Sequence, residues 1–420
     1  MATKKKFYEM SRKERLAYLK NKAKLSDGDI DAILSPLSFG AANQMIENAI
    51  GTISIPIGIA TNFVINGQER LIPMAIEEPS VIAAASKAAG IAKKTGGFTA
   101  EAKRSLMIGQ IQVVSVPDPV SAKRKILDGR NKSDLLAVAN SKGRSVSALD
   151  ISVREMQDSS PNKMGHMMVV ELVADTKDAM GANAINTMCE AIAPKIQELA
   201  GEGSNVVLKI LSNYATRRLA RCKAVFAKDD IGGGEVVKRI LYAYALAYSD
   251  TYRAVTHNKG IMNGIDAVAL ATGQDFRAIE AGAHAYASRD GTYRSLTRWQ
   301  MTEDGDLAGE IELPLAVGIV GGIVSVNPMA KVALKIMGVK NASELAMTMA
   351  ATGLAQNLAA IRALASEGIQ KGHMALHARN IAVMAGAKGK QVELVSRRIA
   401  SEGAVTVSRA KEVLSALRKK

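Results

Sequence analysis

Between Leu106 and Ile210 the sequence alternates strand and helix patterns in an order that restricts the fold. Four apolar, β-rich segments surround two helical segments at Val120–Ser141 and Asp178–Leu199. The β-rich segments read SLMIGQIQVVSV, SALDISVREM, MGHMMVVELVADT and NVVLKILS. The order β-α-β-β-α-β over about a hundred residues is typical of a ferredoxin-like unit. We therefore predict a small ferredoxin-like unit in this part of the chain.

The rest of the chain is mostly helical in pattern. Asn66-Gly67 between two apolar runs predicts a hairpin, and a helix is expected to open near Pro79. Long helices follow the ferredoxin-like unit, with a second strand region around Leu307–Val326 and a separate helical tail from Asn380. Aromatic residues make up only 4%, which indicates close helix packing through small side chains. The 420 residues favour two or three domains.

Cysteine content and targeting signals bear on location. Cys189 and Cys222 are the two cysteines, and neither belongs to a CxxC pair, which argues against a disulfide scaffold or a zinc site. The basic start MATKKKFYEM is not followed by the apolar segment of a signal peptide. Leu313–Ala330 is uncharged, but two prolines and three glycines interrupt it, so a strand and turn fit better than a membrane helix. We expect a soluble, cytoplasmic protein.

The net charge of +15 favours an anionic partner. The Lys and Arg residues are dispersed, and no basic stretch carries interleaved aromatic residues for base stacking. A nucleic-acid-binding protein stays an alternative, and an anionic small molecule suits the charge equally. The absence of P-loop, HExxH and GxSxG motifs removes several hydrolase and kinase classes. Gly318–Val324 is glycine-rich without the GxGxxG spacing, so a Rossmann site is not supported.

Two charged positions are candidates for chemistry. Lys259 stands alone in THNKGIMNG, where glycines permit close backbone approach and Asn263 can hold a lysine by hydrogen bonds. It is either a solvated surface charge or a cation aimed at a developing negative charge. Glu77 and Glu78 directly precede a predicted helix, where paired acids are also a common charge preference. These residues alone leave both alternatives open.

Two further motifs suggest ligand or proton chemistry. In DAMGAN, Gly181 lies near a predicted helix start with Asn183 and Asn186 behind it, which suits a phosphate or dinucleotide contact. His373 and His377 are four residues apart on a predicted helix, but no third ligand lies nearby, so no metal site is predicted. A histidine, with a pKa of about 6.5, can donate a proton at neutral pH or serve as a hydrogen-bonded structural residue.

Eight motifs occur in order along the chain: ENAIGT, PMAIEEPS, DAMGAN, RAVTHNKGIMNGID, ATGQD, GIVGG, GLAQN and EGIQKGHMALHARN. Together they strongly resemble 3-hydroxy-3-methylglutaryl-coenzyme A (HMG-CoA) reductase. The arrangement is similar to that of the class II enzymes of bacteria and archaea. The resemblance runs from about Ser11 to the C-terminal tail.

The resemblance implies an α+β fold in which a large, mostly helical domain carries an inserted ferredoxin-like cofactor domain and a C-terminal helical flap. The large domain is expected at 1–105 and 211–370, the small NAD(P)-binding domain at 106–210 and the flap at 371–420. A homodimer or higher even oligomer is implied, with active sites at the subunit interface. No nucleic-acid or membrane partner is expected.

The implied reaction reduces the thioester of HMG-CoA to mevalonate with two hydrides and releases free CoA. The positions that match the family's catalytic residues are Glu78, Lys259, Asp275 and His373. Lys259 would stabilise the oxyanion formed by hydride attack, and Asp275 beside it would keep the ammonium charged and oriented. Glu78 would be the general acid. His373 would protonate the departing thiolate, since the corresponding thiol has a pKa of about 8.5. His377 is expected to be structural.

The same matching implies the residues that bind substrate and cofactor. Substrate positioning falls to Ser80, Arg253, Asn263 and Asn357, with Arg253 suited to a terminal carboxylate. Cofactor contacts are expected from Asp178, Met180, Gly181, Asn183, Arg144, Gly321 and Gly322.

The cofactor loop departs from the pattern of relatives that prefer NAD. Gly143 and Arg144 stand where those relatives carry an acid, and the glycine run that follows in them is missing. An acid there would bind a ribose 2′-hydroxyl and repel a 2′-phosphate, so its loss favours NADPH over NADH. Mevalonate synthesis is the expected direction, and NAD-dependent mevalonate oxidation is the alternative.

Overall fold

The computed structural model describes residues 5–35, 37–143, 145–366 and 369–418, with the backbone alone at 369–376 and 418. After a 3-10 turn at Phe7–Glu9, the first part of the chain forms a set of helices, a hairpin and a short strand. These are α1 (Arg12–Lys22), α2 (Asp27–Leu34), α3 (Phe39–Met45), β1 (Ile57–Ile65), β2 (Gln68–Ala75), α4 (Val81–Lys94) and β3 (Thr99–Ala102). Asn66 and Gly67 both have positive φ, 49° and 76°, which confirms the predicted hairpin turn.

The next part of the chain has the predicted ferredoxin-like order. Its elements are β4 (Leu106–Val114), α5 (Pro119–Leu127), α6 (Gly129–Lys142), β5 (Ser147–Gln157), β6 (His166–Asp175), α7 (Ala182–Ala200) and β7 (Asn205–Ser212). The strands form an antiparallel sheet in the order β5-β6-β4-β7. The helix predicted at Val120–Ser141 is two helices, because Asp128 accepts hydrogen bonds from the amides of Arg130 and Asn131 and starts α6. The ferredoxin-like prediction is confirmed.

A second antiparallel sheet carries this insert. The chain continues through β8 (Leu219–Phe226), α8 (Lys228–Ile231), α9 (Gly234–Ser249), α10 (Thr251–Ala271), α11 (Phe276–Ala287), β9 (Thr297–Met301), β10 (Leu307–Pro314), α12 (Gly322–Val326), α13 (Pro328–Met337), α14 (Ala342–Ala365), α15 (Ile369–Met384), α16 (Lys390–Ser401) and α17 (Val407–Arg418). The strand order is β3-β8-β10-β9. Because β3 pairs directly with β8, Thr99 opposite Lys223, the chain leaves this sheet for the insert and returns to the neighbouring strand.

The prediction of a strand region at Leu307–Val326 is correct only in its first half. Strand β10 ends at Pro314, and Gly322–Val326 is helical rather than extended. Pro314 has no backbone N–H and so cannot donate a hydrogen bond to continue the strand pairing. Gly321, with φ 75°, then turns the chain into α12. Within the described residues, no helix is long and apolar enough to cross a membrane.

Lys259 lies inside a continuous helix, whereas the Asn- and Gly-rich sequence around it suggests a loop. Asp250 starts a new helix, α10, by accepting a 2.7 Å hydrogen bond from the amide of Arg253, and this helix runs to Ala271. Isolated glycines cost helix stability, so their presence here requires a compensating contact. The packing of α10 against α14 provides that contact.

Helices α10 and α14 approach each other through glycines. A Cβ added at Gly264 would lie 2.9 Å from the Cβ of Gln356 and 3.1 Å from the carbonyl oxygen of Thr352. On α14, a Cβ added at Gly353 would lie 2.8 Å from the side chain of Ile265 on α10. The two backbones therefore pack closer than side chains would permit, and this packing lies in the core that also covers the β3-β8-β10-β9 sheet.

We expect Gly264→Ala to lower the free energy of unfolding by about 1–3 kcal/mol, because the added methyl must push α10 away from α14. Gly260→Ala is the matched control on the same helix. Its Cβ would lie 3.9 Å from that of Ala360, so the substitution is expected to stabilise the helix by about 0.5–1 kcal/mol. Denaturant unfolding of both variants checks this, and equal effects would contradict the close approach.

An acid pair joins α10 to α11. Burial and the neighbouring charge of Glu280 raise the pKa of Asp266 from 3.8 to about 8, and Asp266 Oδ1 is buried with no hydrogen-bond partner among the described residues. The folded protein therefore keeps a proton on Asp266 that the unfolded chain releases above pH 3.8. This linkage lowers stability progressively as pH rises from about 4 to about 8.

Asp266→Asn removes that pH-dependent loss. We expect its unfolding midpoint to exceed that of the wild-type protein at pH 8, with the difference shrinking as the pH falls toward 4. Thermal unfolding across this range measures the difference. The control is Asp31→Asn, which removes an exposed carboxylate from α2. Its difference in unfolding midpoint from the wild type should not change with pH in this way. A constant difference at every pH would show that Asp266 does not hold the extra proton.

Candidate active site

A carboxylate, an ammonium and an amide meet where α10 passes the turn between β2 and α4. Lys259 Nζ lies 3.1 Å from Glu78 Oε2, and Asn263 Nδ2 lies 3.5 Å from the same oxygen. Lys259 and Asn263 are one helical turn apart, so both side chains project from the same face of α10. The Lys259 side chain is 62% exposed and that of Glu78 is 34% exposed. The structure thus brings together three of the predicted site residues.

Ser80 follows Glu78 in a strained conformation. Its φ of 78° and ψ of −25° are left-handed, which costs a non-glycine residue about 1–3 kcal/mol. Helix α4 begins at Val81 rather than at Pro79, and the Ser80 hydroxyl makes no capping hydrogen bond. The hydroxyl and the first amides of α4 are therefore available to a ligand beside Glu78. Glu77 is exposed and has no hydrogen bond or ion pair among the described residues.

Asp275 and Arg253 are near this cluster in sequence but have other contacts. Asp275 starts α11 by accepting a hydrogen bond from the amide of Ala278, and its Oδ1 lies 3.1 Å from Arg277 Nη2. Among the described residues it forms no ion pair with Lys259. The Arg253 guanidinium is half-buried without a carboxylate partner in the described chain, and burial lowers its pKa. An unpaired, partly desolvated guanidinium is suited to an anionic ligand.

Asn357 lies deeper than a surface contact residue. It is 1% exposed on α14, and its Oδ1 accepts hydrogen bonds of 2.9 Å from both Thr297 Oγ1 and Trp299 Nε1. Only its amide NH₂ is left for a ligand. The preceding Gln356 has a buried Oε1 with no hydrogen-bond partner in the described part of the chain, and sequence reasoning did not select it. An orphaned buried acceptor next to Asn357 makes Gln356 a further candidate site residue.

The structure brings two of the predicted cofactor motifs into direct contact. The amide of Ile319 donates a 2.9 Å hydrogen bond to the carbonyl oxygen of Asp178, and Ala179 forms a bridge with Val320. A Cβ at Gly318 would lie 2.5 Å from the amide nitrogen of Met180, so only glycine fits there. The carboxylate of Asp178 accepts from the first amide of α14. Asp178 and Met180 therefore lie where GIVGG meets DAMGAN.

The remaining cofactor candidates line helix starts and an open cleft. Gly181, with φ 98°, directly precedes α7, and Asn183 is exposed in the first turn of this helix. Gly321 and Gly322 have φ of 75° and 53°, and nothing lies within 4 Å of a Cβ at either. Gly321 borders a cleft of about 590 Å³ that also contains three lysines, Lys331, Lys335 and Lys340. Glycine backbone, helix amides and lysines are groups that hold phosphates.

Arg218 and Gln274 support these loops and were not selected from the sequence. Arg218 is 4% exposed and donates to Thr176 Oγ1 at 2.9 Å and to the carbonyls of Ala179, Met180 and Val317. Burial lowers its pKa to about 10, so it stays charged at neutral pH. The Gln274 side chain exchanges two hydrogen bonds with the backbone of Gly318. The sequence carries no local signal that distinguishes a buried arginine or glutamine from an exposed one.

Two predicted residues lie outside this description. His373 belongs to α15, but its side chain is outside the described residues, and so is the whole of Arg144. His377 is exposed on the same helix. Within the part of the chain with described side chains, no group of three His, Cys, Asp or Glu residues has a metal-binding arrangement.

Comparisons with known proteins identify the family. The family model described as hydroxymethylglutaryl-coenzyme A reductase matches residues 11–378. The 3-hydroxy-3-methylglutaryl-coenzyme A reductase of Archaeoglobus fulgidus is 53% identical over 414 residues, which cover 98% of this chain and 94% of that protein. The probable reductase of Borreliella burgdorferi is 39% identical over 348 residues, 80% of this chain and 77% of that protein.

Solved structures agree with this result. The 3-hydroxy-3-methylglutaryl-coenzyme A reductase of Streptococcus pneumoniae superposes with a TM-score of 0.81 at 39% identity, covering 98% of this chain and 99% of that one. The class II enzyme of the same organism, bound to NADPH in open conformations, gives a TM-score of 0.80 at 40% identity, covering 97% and 100%. Sequence, fold and the arrangement of Glu78, Lys259 and Asn263 lead to one conclusion: the chain belongs to the hydroxymethylglutaryl-coenzyme A reductase family.

Proposed function

We propose that this chain reduces HMG-CoA to mevalonate and free CoA, with two equivalents of NADPH as the hydride source. The observation that carries the proposal is the contact of Lys259 and Asn263 with one carboxylate oxygen of Glu78, at 3.1 Å and 3.5 Å. A cation, an amide donor and an acid at one open position are what a carbonyl reduction requires. The NADPH-bound relative supports the reductive direction over the NAD-dependent oxidation of mevalonate.

The two reduction steps place different demands on the site. In each step the cofactor supplies a hydride, and negative charge develops on the substrate oxygen, where Lys259 and Asn263 offer donors. After the first hydride transfer the carbon–sulfur bond breaks, giving an aldehyde and a thiolate, and His373 is the proposed proton donor to that thiolate. In the second step Glu78 is the proposed proton source for the new alcohol oxygen. Asp275 would support Lys259 after it leaves Arg277 and pairs with the Lys259 ammonium instead.

Substrate and cofactor contacts are proposed around this centre. Ser80, with a strained backbone and a hydroxyl that makes no capping hydrogen bond, lies near Glu78. Arg253, which has no carboxylate partner among the described residues, offers its guanidinium for the terminal carboxylate of the substrate. Asn357 would contribute its amide NH₂. The contact between 178–181 and 318–322 fits a dinucleotide site, because nothing lies within 4 Å of a Cβ at Gly321 or Gly322 and helix α7 starts beside the contact.

We also propose a homodimer. Between α3 and β1, Ile50 is 100% exposed and Ile53 is 94% exposed, and on α10 Tyr252 is 89% exposed. Large apolar side chains this accessible are typical of a covered interface. A second copy would cover them, as the resemblance implies. The two cysteines, Cys189 and Cys222, are free and buried, which supports the proposed cytoplasmic location.

The proposed domains are 1–105 with 211–370 as the large domain, 106–210 as the cofactor domain and 371–420 as the flap. Support comes from hydrophobic clusters that follow this division closely. One cluster surrounds the β3-β8-β10-β9 sheet, another lies under the ferredoxin-like sheet, and a third lies among α15, α16 and α17. Each cluster supplies a core of its own, as a domain requires.

The wild-type protein is expected to oxidise NADPH only when HMG-CoA is present. Lys259→Ala should reduce kcat about 10²- to 10³-fold, as expected for the loss of one oxyanion donor. Lys411→Ala, which removes an exposed lysine from α17, is the control and should leave kcat unchanged. Full activity in Lys259→Ala would exclude the proposed role of this lysine, and an inactive wild-type protein would exclude the function itself.

The cofactor proposal predicts a lower KM for NADPH than for NADH. Arg144→Ala should raise the KM for NADPH more than that for NADH, because the lost guanidinium would face a 2′-phosphate that NADH lacks. Steady-state kinetics with each cofactor measure both values. Saturation by NADH at a much lower concentration than NADPH would show that the preference is the reverse of the one proposed.

A further inference from the structure

A chain of buried hydrogen bonds runs from β9 to α10 and has a fixed direction. Trp299 Nε1 is a donor only, so the atom of Asn357 that lies 2.9 Å from it must be the carbonyl oxygen. This contact fixes the orientation of the Asn357 amide group. Thr297 Oγ1 lies 2.9 Å from the same oxygen. Thr297 Oγ1 also lies 3.0 Å from Ser295 Oγ and 3.2 Å from Trp299 Nε1. Both of these neighbours can donate to Thr297, whereas Asn357 Oδ1 carries no proton, so the hydrogen bond between Thr297 and Asn357 uses the proton of Thr297.

The direction of the Thr297 hydroxyl fixes the state of His257. Because Thr297 donates its hydroxyl proton to Asn357, Thr297 Oγ1 accepts a hydrogen bond from His257 Nε2, which lies 2.8 Å away. His257 is therefore the Nε2–H tautomer, and its Nδ1 carries a lone pair. Consistently, Nδ1 is buried and has no hydrogen-bond partner among the residues that the structure describes. Burial and the charge of Arg253 lower the pKa of His257 to about 3, so the ring stays neutral at physiological pH.

This network holds α10 at the residues next to Lys259. Asn258, which is fully buried, donates to the carbonyl of Arg294 and accepts from the amide of Leu296, both at 2.9 Å. His257 and Asn258 thus connect α10 to 294–297, on the side away from solvent. On the following turn, Gly264 packs on α14. Lys259 lies between these two anchors and projects toward Glu78.

We propose that Trp299, Asn357, Thr297 and His257 form a positioning network that sets the placement of the Lys259 ammonium. The inference rests on the proposed role of Lys259 in oxyanion stabilisation. The network acts through backbone placement, since the exposed lysine side chain has only Glu78 as a bonded partner among the described residues. A displacement of about 1 Å in a catalytic group can cost about 10²-fold in rate, so a rigid helix segment here has a direct consequence for kcat.

Thr297→Val tests the network with Thr297→Ser as its matched control. Valine has nearly the shape of threonine but no hydroxyl, so it breaks the path between His257 and Asn357, while serine retains the hydroxyl. We expect Thr297→Val to lower kcat about ten- to a hundred-fold, with the KM for HMG-CoA little changed, and Thr297→Ser to stay within about two-fold of the wild type. A rise in KM alone, or equal rates for both variants per folded molecule, would overturn the proposal.

The histidine tautomer gives a readout that does not depend on activity. In wild-type protein labelled with ¹⁵N-histidine, His257 is expected to show a protonated Nε2 and a bare Nδ1 at neutral pH, and His257→Gln assigns its signals among the five histidines. In Thr297→Val the fixed tautomer should be lost. A protonated Nδ1 in the wild type would overturn the network. If HMG-CoA-dependent NADPH oxidation is absent while this tautomer is present, the proposed function fails and the hydrogen-bond assignment stands.

Discussion

The close approach of α10 and α14 at Gly264 is the constraint on which the site depends. Because Gly264 and Gly353 lack side chains, the two helices pack backbone against side chain, and the polar residues on either side of the contact reach each other. Asn357 on α14 meets Thr297, and through it His257 on α10. One helix face is thus used for packing and buried polar contacts, and the opposite face is left for Lys259 and Asn263.

The contact between Lys259 and Glu78 contributes little to stability. Both side chains are partly exposed, and ion pairs of this kind are worth about 0–1 kcal/mol. Ser80 beside them adds backbone strain, which costs folding free energy. A weak ion pair next to a strained serine is difficult to explain as a stabilising device. It is readily explained by a site that exposes an ammonium, a carboxyl group and a hydroxyl to a ligand.

Regular local patterns were predictable, and contacts between distant segments were not. The alternation of strands and helices predicts the ferredoxin-like unit, and Asn66-Gly67 predicts the hairpin, because both depend on neighbouring residues. The Asn- and Gly-rich stretch around Lys259 indicates a loop when it is considered alone, and only its packing on α14 makes it a helix. Thr297 and Arg218 carry no local signal either, since their roles come from partners 60 and 42 residues away. Resemblance to a family supplied Glu78 and Lys259, which spacing alone left open.

Buried polar side chains also connect the proposed cofactor motifs to the segment before α11. Gln274, next to Asp275, exchanges two hydrogen bonds with Gly318, and Gly318 packs on the backbone of Met180. Arg218 joins the same two loops, at 176–180 and 317, through four hydrogen bonds. Buried side chains therefore hold the 178–181 loop, Gly318 and the start of α11 together, and at that start Asp275 contacts Arg277.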